Sequence, residues 1–292
     1  MFIVGIDGGG THTRVELRDM ENCPVRRGEF GPFNLNSIGE TAFRRLLRDV
    51  FSWCGQMKDC AAICVGGAGI SNPAVARILG EELEFTGFQG RKKICGDQEI
   101  ALRGAMEGPG IALIAGTGSI CFGKNAAGET ARSGGFGHLI DDGGSGYALG
   151  RDVLSCAVRV LDGRSSSDGI LRSVCNWLGG DAGRIVSFVY SPDTDKSAIA
   201  RFSKIALEHA DLGDQEAIRI LQQEAEELAQ MVAAVQRRLD VSGCRIALLG
   251  GLIASDNPYR REVVRRLASL GSVVFPEHDA LWGAAQMAWE LK

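Results

Sequence analysis

The sequence predicts an α/β protein with two similar halves. Short apolar runs alternate with segments whose apolar residues recur at helical spacing, which is the pattern of strands alternating with helices. The apolar run at Ile3 enters a glycine-rich turn before a second strand, and the run at Ile111 does the same. Glycine makes up 40 of the 292 residues, roughly twice its usual share of ~7%. A chain so rich in glycine needs tight turns or brings its backbone close to a ligand.

The first half is predicted to open with three strands and to continue with alternating helices and strands. Phe2–Ile6 is a continuous apolar run, and Thr13–Arg18 alternates with a period of two. Pro73 is a residue favoured in the first turn of a helix. The other elements predicted in this half are a strand over Pro24–Phe30, helices over Ser37–Phe51, Pro73–Leu83 and Gln98–Met106, and strands over Ala61–Val65 and Lys93–Cys95.

The second half restarts the same pattern after Gly108. Strands are predicted over 111–115, 120–124 and 129–133, and a long helical region follows from about 145 to 239. Asn257 followed by Pro258 is typical of a helix cap and first turn. The remaining elements are strands over 245–249 and 273–275 and a closing helix over 278–291.

One stretch of the long helical region has a seam of apolar residues in steps of three and four. It could be the partner surface of a coiled coil or a packing face within the fold. The seam is short, so we expect intramolecular packing. Its members are Ile218, Leu221, Ala225, Leu228, Val232, Val235 and Leu239.

Charge and hydropathy exclude two classes of partner. Lys and Arg number 32 against 36 Asp and Glu, for a net charge of −4, which argues against a nucleic-acid binder that depends on phosphate contacts. No apolar stretch approaches the ~18 residues of a membrane span. The N-terminus lacks a basic segment and a cleavage-like site, so we expect no signal peptide and a cytoplasmic protein.

The cysteines predict core thiols in a reducing compartment. The chain has nine, an odd number, and none forms a Cys-x-x-Cys pair. That spacing signals neither a zinc ribbon nor thioredoxin-like chemistry. Several lie in strand-like apolar runs, as Cys60 and Cys64 do, and free cysteine is among the most buried residue types.

Two glycine turns are candidate phosphate sites. One explanation of these glycines is that the turns are simple hairpins, which need residues with positive φ. However, the turns also carry the hydroxyls of Thr11, Thr13, Thr117 and Ser119 beside a row of backbone N–H groups, and such nests bind anions. Asp7 at the mouth of the first turn is compatible with phosphate if Mg²⁺ is present, since Mg²⁺ takes one or two carboxylates together with phosphate oxygens.

Two common nucleotide motifs do not fit these turns. The first turn has Thr13 where the dinucleotide fingerprint has its third glycine, and a strand rather than a helix follows it. The stretch Gly118–Asn125 resembles a Walker A loop but ends in Asn where Ser or Thr should hold Mg²⁺. Its interior is predicted to be a strand.

Carboxylates at strand ends are the candidate catalytic groups. Asp97 follows a strand and precedes a helix, so capping that helix could be its whole role. In the same way, Asp141, Asp142 or Ser145 could cap the next long helix. Ligands in open α/β sheets, however, sit at the carboxyl ends of strands. Asp7, Asp97 and both glycine turns occupy such ends. A carboxylate there is well placed as a general base for a hydroxyl nucleophile.

These residues in this order resemble the BadF/BadG/BcrA/BcrD ATPase family, and more narrowly its N-acetylglucosamine kinase branch within the sugar kinase, Hsp70 and actin superfamily. The resemblance runs nearly ungapped from residue 3 to about 150 and is loose afterwards. It rests on Asp7–Thr11, Asn34, Gly96–Asp97, Gly116–Ser119, the Gly134–His138 loop and the Asp142–Ser145 segment.

The resemblance implies two ribonuclease H-like lobes of the actin-like ATPase fold that flank a cleft, with the second lobe enlarged by helices. The first lobe would span residues 1–109 with the closing helix 279–292, and the second 110–278. ATP, Mg²⁺ and an amino sugar would bind, without nucleic acid or membrane. By the same resemblance the protein would be a homodimer.

The resemblance also implies a role for each site residue. Asp97 would be the general base and would contact the sugar, and Asp7 would organise Mg²⁺ through water. The sugar would be bound by Asn34, Gly135, Phe136, Gly137 and Asp142. ATP and its phosphates would be bound by Gly8, Gly9, Gly10, Thr11, Thr13, Gly116, Thr117, Gly118, Ser119, Gly250 and Gly251.

This sequence departs from the family pattern at two places. Relatives often have Trp at the position of Phe136, which changes the shape of the N-acyl pocket. They often have Gly-Asp-Glu-Gly-Ser where this chain has Asp141-Asp142-Gly143-Gly144-Ser145. The Glu is absent here and an additional Asp precedes, so the local charge is rearranged.

The expected function is an ATP-dependent kinase that phosphorylates the 6-hydroxyl of N-acetylglucosamine or a close amino sugar. The alternative within the family is an ATPase activator of 2-hydroxyacyl-CoA dehydratases, an iron–sulfur protein with a Cys shortly before the Gly-Thr-Gly turn. Here Leu113–Gly116 has none. A sugar-responsive repressor would need a helix-turn-helix before the first strand, and the sequence opens on that strand.

Overall fold

The structure is a computed structural model that describes residues 1–67, 69–70 and 72–292. Its strands are β1 Phe2–Gly8, β2 Thr13–Arg18, β3 Pro24–Phe30, β4 Cys60–Gly67, β5 Arg91–Gly96, β6 Gly110–Ala115, β7 Ser119–Lys124, β8 Thr130–Gly134, β9 Cys244–Leu249 and β10 Gly271–Val274. Its helices are α1 Leu35–Cys54, α2 Pro73–Phe85, α3 Asp97–Ala105, α4 Gly146–Leu161, α5 Asp168–Trp177, α6 Arg184–Val189, α7 Lys196–Ala200, α8 Ser203–Asp211, α9 Gln215–Leu239, α10 Pro258–Leu267 and α11 Ala280–Leu291. The chain divides into two compact units, residues 1–108 with 276–292 and residues 109–275.

The first unit is built on a five-stranded mixed sheet in the order β3-β2-β1-β4-β5. The hairpin partners β1–β2 and β2–β3 are antiparallel, whereas β1–β4 and β4–β5 are parallel. A core cluster that includes Phe43, Leu47 and Ile78 joins the sheet to α1 and α2. A second cluster, around Ile3, Ile100 and Ala284, joins it to α3 and α11.

The second unit repeats this topology. Its sheet has the order β10-β9-β6-β7-β8, with β6–β7 and β7–β8 antiparallel and β6–β9 and β9–β10 parallel. The two halves predicted from the repeated strand, turn and strand are therefore confirmed, and so is the α/β fold class. The last strand begins at Gly271, earlier than the predicted residue 273, because Gly271 already pairs with Cys244.

The long helical region of the second unit is six separate helices, α4 to α9, among the described residues. The predicted seam on α9 is an intramolecular packing face, because its members from Leu221 to Leu239 lie in the core cluster of this unit. Phe202 and Tyr259 are fully buried in the same cluster. The cap predictions are confirmed for Asn257, which accepts from Arg260 N, and for Ser145, which accepts from Ala148 N.

All nine cysteines are free thiols, and most are buried, as predicted. The prediction was wrong for Cys23, which is exposed because it lies just before β3 in a surface turn. No helix within the described residues combines the length and the apolar character that crossing a membrane requires.

Candidate functional site

The carboxyl ends of the parallel strands in the first unit bring Asp7 and Asp97 to one edge of the sheet. Asp7 pairs with Gly66 of β4, and Gly66 pairs with Cys95 of β5. Asp97 follows Cys95 by two residues at the start of α3. The two carboxylates are close enough that the charge of Asp7 acts on Asp97. This is the sheet edge at which ligands of α/β proteins sit.

The Asp97 carboxylate is oriented by a backbone hydrogen bond. Asp97 is the first residue of α3, Gly96 holds the N-cap position, and Asp97 Oδ1 accepts a hydrogen bond from the Gln98 N–H at 3.0 Å. Burial, and to a lesser degree the negative charge of Asp7, raise the pKa of Asp97 above its ordinary value. A carboxyl with a raised pKa accepts a proton more readily, which suits a general base.

The first glycine turn needs glycine at Gly8 because of a close approach. A Cβ there would lie 2.4 Å from the ring of Phe33. The turn is closed by hydrogen bonds from Gly9 N to His12 O and from Phe33 N to Gly9 O, and Gly10 and Thr11 at its tip are exposed. These exposed N–H groups and the hydroxyl form the part of the turn that can meet an anion.

Thr13 stands behind the turn rather than at its tip. Its side chain is buried, and its hydroxyl donates to Gly31 O at 2.7 Å. Asn34 lies at the N-cap position of α1, yet its side chain makes no capping hydrogen bond. Capping therefore does not occupy the Asn34 amide.

Arg14 is a residue of this site that sequence reasoning missed. It is the cross-strand partner of Asp7, and its Nε and Nη2 donate to Asp7 Oδ2 at 3.2 and 2.6 Å. Its Nη1 donates to Asp279 Oδ2 at 3.0 Å. The signal was present in the sequence, because a hairpin between the two predicted strands sets their cross-strand pairs.

The second glycine turn, Gly116–Ser119, is fixed by the helix that follows the 135–145 loop. Gly146 N donates to Gly116 O at 2.8 Å, and Tyr147 N donates to Thr117 O at 3.2 Å. The buried Ser119 donates its hydroxyl to Gly143 O at 2.6 Å. Gly116, Thr117 and Gly118 are only half-buried. The turn is thus fixed by hydrogen bonds to the 143–147 segment, while Gly116–Gly118 remain partly accessible to solvent.

Asp142 is packed against this turn. Its side chain is 3% exposed, its φ is +67°, and its Oδ1 accepts from Ser119 N at 3.4 Å. Its Oδ2 is buried without a hydrogen-bond partner among the described residues. A buried carboxylate oxygen without a partner is costly, so Asp142 Oδ2 is a candidate acceptor for a donor that the described residues do not supply.

The loop before Asp142 presents Phe136 to solvent. Phe136 is 62% exposed, and the Arg132 guanidinium lies 4.7 Å from its ring centroid. Asp141 does not cap a helix. It accepts a hydrogen bond from Phe136 N at 3.0 Å and so closes the loop. Gly135 and Gly137 have φ of +75° and +92°, a region that favours glycine.

A cavity of about 610 Å³ in the second unit begins at Gly116 and Thr117. Gly251 and Leu252 form another wall, and Arg201, which follows α7, and Lys204 of α8 also line the cavity. Gly250 has φ of +90°, and a Cβ there would lie 2.4 Å from Ala115 O. The predicted turns at 116–119 and 250–251 thus line one cavity of a size that suits a small-molecule ligand.

Glu224 supports the Asp142 loop from inside the core and was also missed. It is a 2% exposed carboxylate on α9 whose Oε2 accepts from Gly144 N at 2.6 Å. Tyr259 donates its hydroxyl to Gly144 O at 2.8 Å. Burial raises the pKa of Glu224 to about 7, with a contribution from Asp152. A carboxylate beside the apolar seam of α9 was the available sequence signal.

Glu224 should make stability depend on pH. Its pKa in the folded protein, about 7, lies above its ordinary value of 4.5, so the folded state holds a proton that the unfolded state has released. The free energy of unfolding should therefore fall as pH rises through this window and level off above it. Glu224→Gln should flatten that slope, measured by urea unfolding across pH. The exposed Glu227→Gln on the same helix is the control, and an equal flattening there would contradict the assignment.

The described residues contain no group of three or more His, Cys, Asp or Glu side chains that could hold a metal ion alone. Mg²⁺ does not need one, because it binds through one or two carboxylates, water and substrate phosphates. Asp7 is 15% exposed, and its hydrogen bonds to Arg14 both use Oδ2. The donor set at Asp7 thus fits a hydrated Mg²⁺.

The chain matches a known protein family over nearly its whole length. The model of the BadF/BadG/BcrA/BcrD ATPase family matches residues 4–288. An N-acetylmuramic acid/N-acetylglucosamine kinase of Clostridium acetobutylicum is 30% identical over 98% of both chains. An N-acetyl-D-glucosamine kinase of Dictyostelium discoideum is 27% identical over 82% of this chain and 80% of that one.

The fold has a close counterpart among solved structures. The crystal structure of a candidate N-acetylglucosamine kinase from Chromobacterium violaceum superposes with a TM-score of 0.77, at 27% identity and with 98% of each chain covered. The repeated sheet topology is that of the actin-like ATPase fold. With a family model that spans nearly the whole chain, this protein belongs to the BadF/BadG/BcrA/BcrD ATPase family.

Proposed function

We propose that this protein is an ATP-dependent kinase that phosphorylates the 6-hydroxyl of N-acetylglucosamine or a close amino sugar. The observation that carries the proposal is the pairing of Asp97 with Asp7 and the first glycine turn at one sheet edge. A base, a metal-organising carboxylate and an anion nest are the parts that phosphoryl transfer requires. The named relatives support the amino sugar.

In the proposed reaction Asp97 accepts the proton of the sugar 6-hydroxyl. The hydroxyl oxygen forms a bond to the γ-phosphorus of ATP, the bond between that phosphorus and the β–γ bridging oxygen breaks, and ADP leaves. Most of the rate enhancement would come from positioning and charge neutralisation. Mg²⁺ held through water at Asp7 would neutralise phosphate charge.

Each unit contributes one proposed phosphate-binding turn, and the second unit also contains the 610 Å³ cavity. Gly8–Thr11 and Gly116–Ser119 would bind phosphates through backbone N–H groups and hydroxyls, with Thr13 holding the first turn in place through Gly31. Gly250 and Gly251 would lie against the adenosine. Arg201 and Lys204, which line the cavity, supply positive charge for a polyphosphate.

The proposed sugar ligands are polar groups, one in each unit, that keep unused hydrogen-bonding capacity among the described residues. The Asn34 amide makes no cap bond, and Asp142 Oδ2 has no partner among the described residues. In the first unit Asn34 is the proposed ligand of a sugar hydroxyl, and in the second unit Asp142 is, with Gly135, Phe136 and Gly137 proposed to contact the N-acyl group. The nine free thiols support a reducing compartment such as the cytoplasm, and we propose a homodimer, which light scattering would measure.

A coupled ADP-release assay across a sugar panel tests the function. N-acetylglucosamine, glucosamine, N-acetylmannosamine, N-acetylmuramic acid and glucose are compared with a sugar-free control. We expect sugar-dependent turnover that is greatest for an amino sugar, with a 6-phosphate product by NMR. Sugar-independent ATP hydrolysis in a brown, iron-containing protein would instead support the dehydratase activator.

Phe136 should read the N-acetyl group. A small apolar contact discriminates by ~1–3 kcal/mol, so Phe136→Ala should narrow the gap in kcat/KM between N-acetylglucosamine and glucose and spare glucose turnover. Leu139→Ala, an exposed apolar residue of the same loop, is the matched control. Equal losses on both sugars would mean that Phe136 only packs the loop.

A further inference from the structure

Arg14 joins two carboxylates that come from opposite ends of the chain. Its guanidinium donates twice to Asp7 Oδ2 and once, through Nη1, to Asp279 Oδ2. The Arg14 side chain is 41% exposed, whereas that of Asp7 is 15% exposed. Hydrogen bonds to charged groups are stronger than neutral ones, and a guanidinium fork also fixes direction. The orientation of the Asp7 carboxylate is therefore set by Arg14.

Arg14 is itself anchored by the start of α11. Asp279 Oδ1 accepts from Trp282 N at 2.9 Å as the helix cap, which leaves Oδ2 for Arg14. The preceding residues are fixed to the end of α3, because Glu277 N donates to Ala105 O and His278 N to Gly104 O. Asp279 therefore has little freedom to rotate away.

The two carboxylate oxygens of Asp7 have different surroundings. Both Arg14 hydrogen bonds fall on Oδ2, and neither uses Oδ1. Arg14 also places one positive charge between Asp7 and Asp279. Without it, the Asp7 carboxylate could rotate, and its negative charge would lose its ion-pair partner.

We propose that Arg14 is a positioning residue, which holds Asp7 Oδ2 so that Oδ1 faces a hydrated divalent cation, and that Asp279 holds Arg14 in turn. The inference rests on the metal-organising role of Asp7 in the proposed function. Lysine could not replace Arg14, because a single ammonium lacks the planar fork that reaches two carboxylates at once.

The test separates magnesium-dependent from magnesium-independent nucleotide binding. Calorimetry of ATP without sugar is done once with Mg²⁺ and once with excess EDTA. Groups that orient a metal ligand change metal affinity by about 10–100-fold, so Arg14→Ala should weaken Mg·ATP binding by that factor and leave Mg-free ATP binding unchanged. Arg14→Lys should do the same, and Asp279→Asn, which keeps a cap, should show a smaller loss of the same kind.

Arg103→Ala is the matched control, because Arg103 forms an ion pair with Glu290 of α11 without touching Asp7. It should keep the wild-type magnesium response. Millimolar guanidinium chloride should partly restore Mg·ATP binding to Arg14→Ala, beyond equal sodium chloride, and should not affect Arg103→Ala. Such rescue would not follow from a purely structural role.

The outcomes separate this proposal from the kinase assignment. A magnesium-specific loss in a protein that phosphorylates none of the sugars would support Arg14 and refute the amino-sugar substrate. A functioning kinase whose Arg14 variants bind Mg·ATP as the wild type does, or lose both forms of ATP equally, would overturn the role of Arg14. If Arg14→Ala fails to fold, Arg14→Lys and Asp279→Asn decide by the same comparison.

Discussion

Asp97→Asn should lower kcat by about 10²–10⁴-fold, the usual contribution of a positioned general base. Asn is isosteric and can still accept from the Gln98 N–H, so α3 should begin as in the wild type. The Michaelis constant for ATP should change little, because Asp97 is proposed to meet the sugar hydroxyl and not the nucleotide. Steady-state kinetics with the preferred amino sugar measures both constants.

The pH dependence of Asp97 follows from its surroundings. Burial, then the charge of Asp7, raise its pKa, so the acidic limb of kcat/KM should lie above the ordinary range of an aspartate, with activity rising as pH rises. For stability the sign is opposite, since a raised carboxyl pKa lowers the free energy of unfolding as pH rises through the window between the unfolded and folded values. Asp97→Asn should therefore unfold no more easily than the wild type at neutral pH.

A neighbouring carboxylate provides the control for this experiment. Glu99 lies on the same turn of α3, with its Oε2 3.1 Å from Lys93 Nζ. Glu99→Gln should keep near wild-type turnover. Turnover by Asp97→Asn at the level of Glu99→Gln would remove Asp97 from the mechanism.

The local sequence pattern was sufficient to predict the elements that depend on contacts between residues close in sequence. The period-two run Thr13–Arg18 and the caps Ser145 and Asn257 appear as predicted, because each depends on neighbours within a few residues. The shared strand-end location of Asp7 and Asp97 followed from a general rule for parallel sheets. It needed no knowledge of side-chain packing.

What the sequence could not provide were contacts between distant residues. Arg14 reaches Asp279 only because α11 returns to β1, and Glu224 reaches Gly144 only because α9 crosses behind the loop. Position 143, where relatives often have Glu and this chain has Gly, is also constrained by a distant residue. A Cβ at Gly143 would lie 3.1 Å from Glu227. A side chain at 143 would compete with Glu227 for the same space. Such juxtapositions depend on tertiary packing, which periodicity does not encode.

The packing of α11 against α3 and β1 predicts that adding one methyl group at a glycine of this contact lowers stability considerably. Helix α11 crosses α3 and β1 through glycines that allow backbone to meet backbone. A Cβ at Gly283 would lie 2.0 Å from Ile100 O, one at Gly104 2.1 Å from Asp279 O, and one at Gly5 2.3 Å from Ala285 N. In each case the obstructing atom belongs to the backbone, so no side chain can rotate to make room.

Gly283→Ala should therefore destabilise the protein by at least the ~1–3 kcal/mol typical of overpacking. Urea unfolding measures it, and Gly80→Ala is the matched control. Gly80 also lies inside a helix, but its nearest neighbour would be Lys92 Nζ at 3.9 Å, so the same change should stabilise by about 0.4–1 kcal/mol. Activity should fall with Gly283→Ala as well, because α3 carries Asp97 and α11 begins after Asp279. If both variants were equally stable, the close crossing of α11 would be wrong, and with it the anchor that Asp279 gives to Arg14.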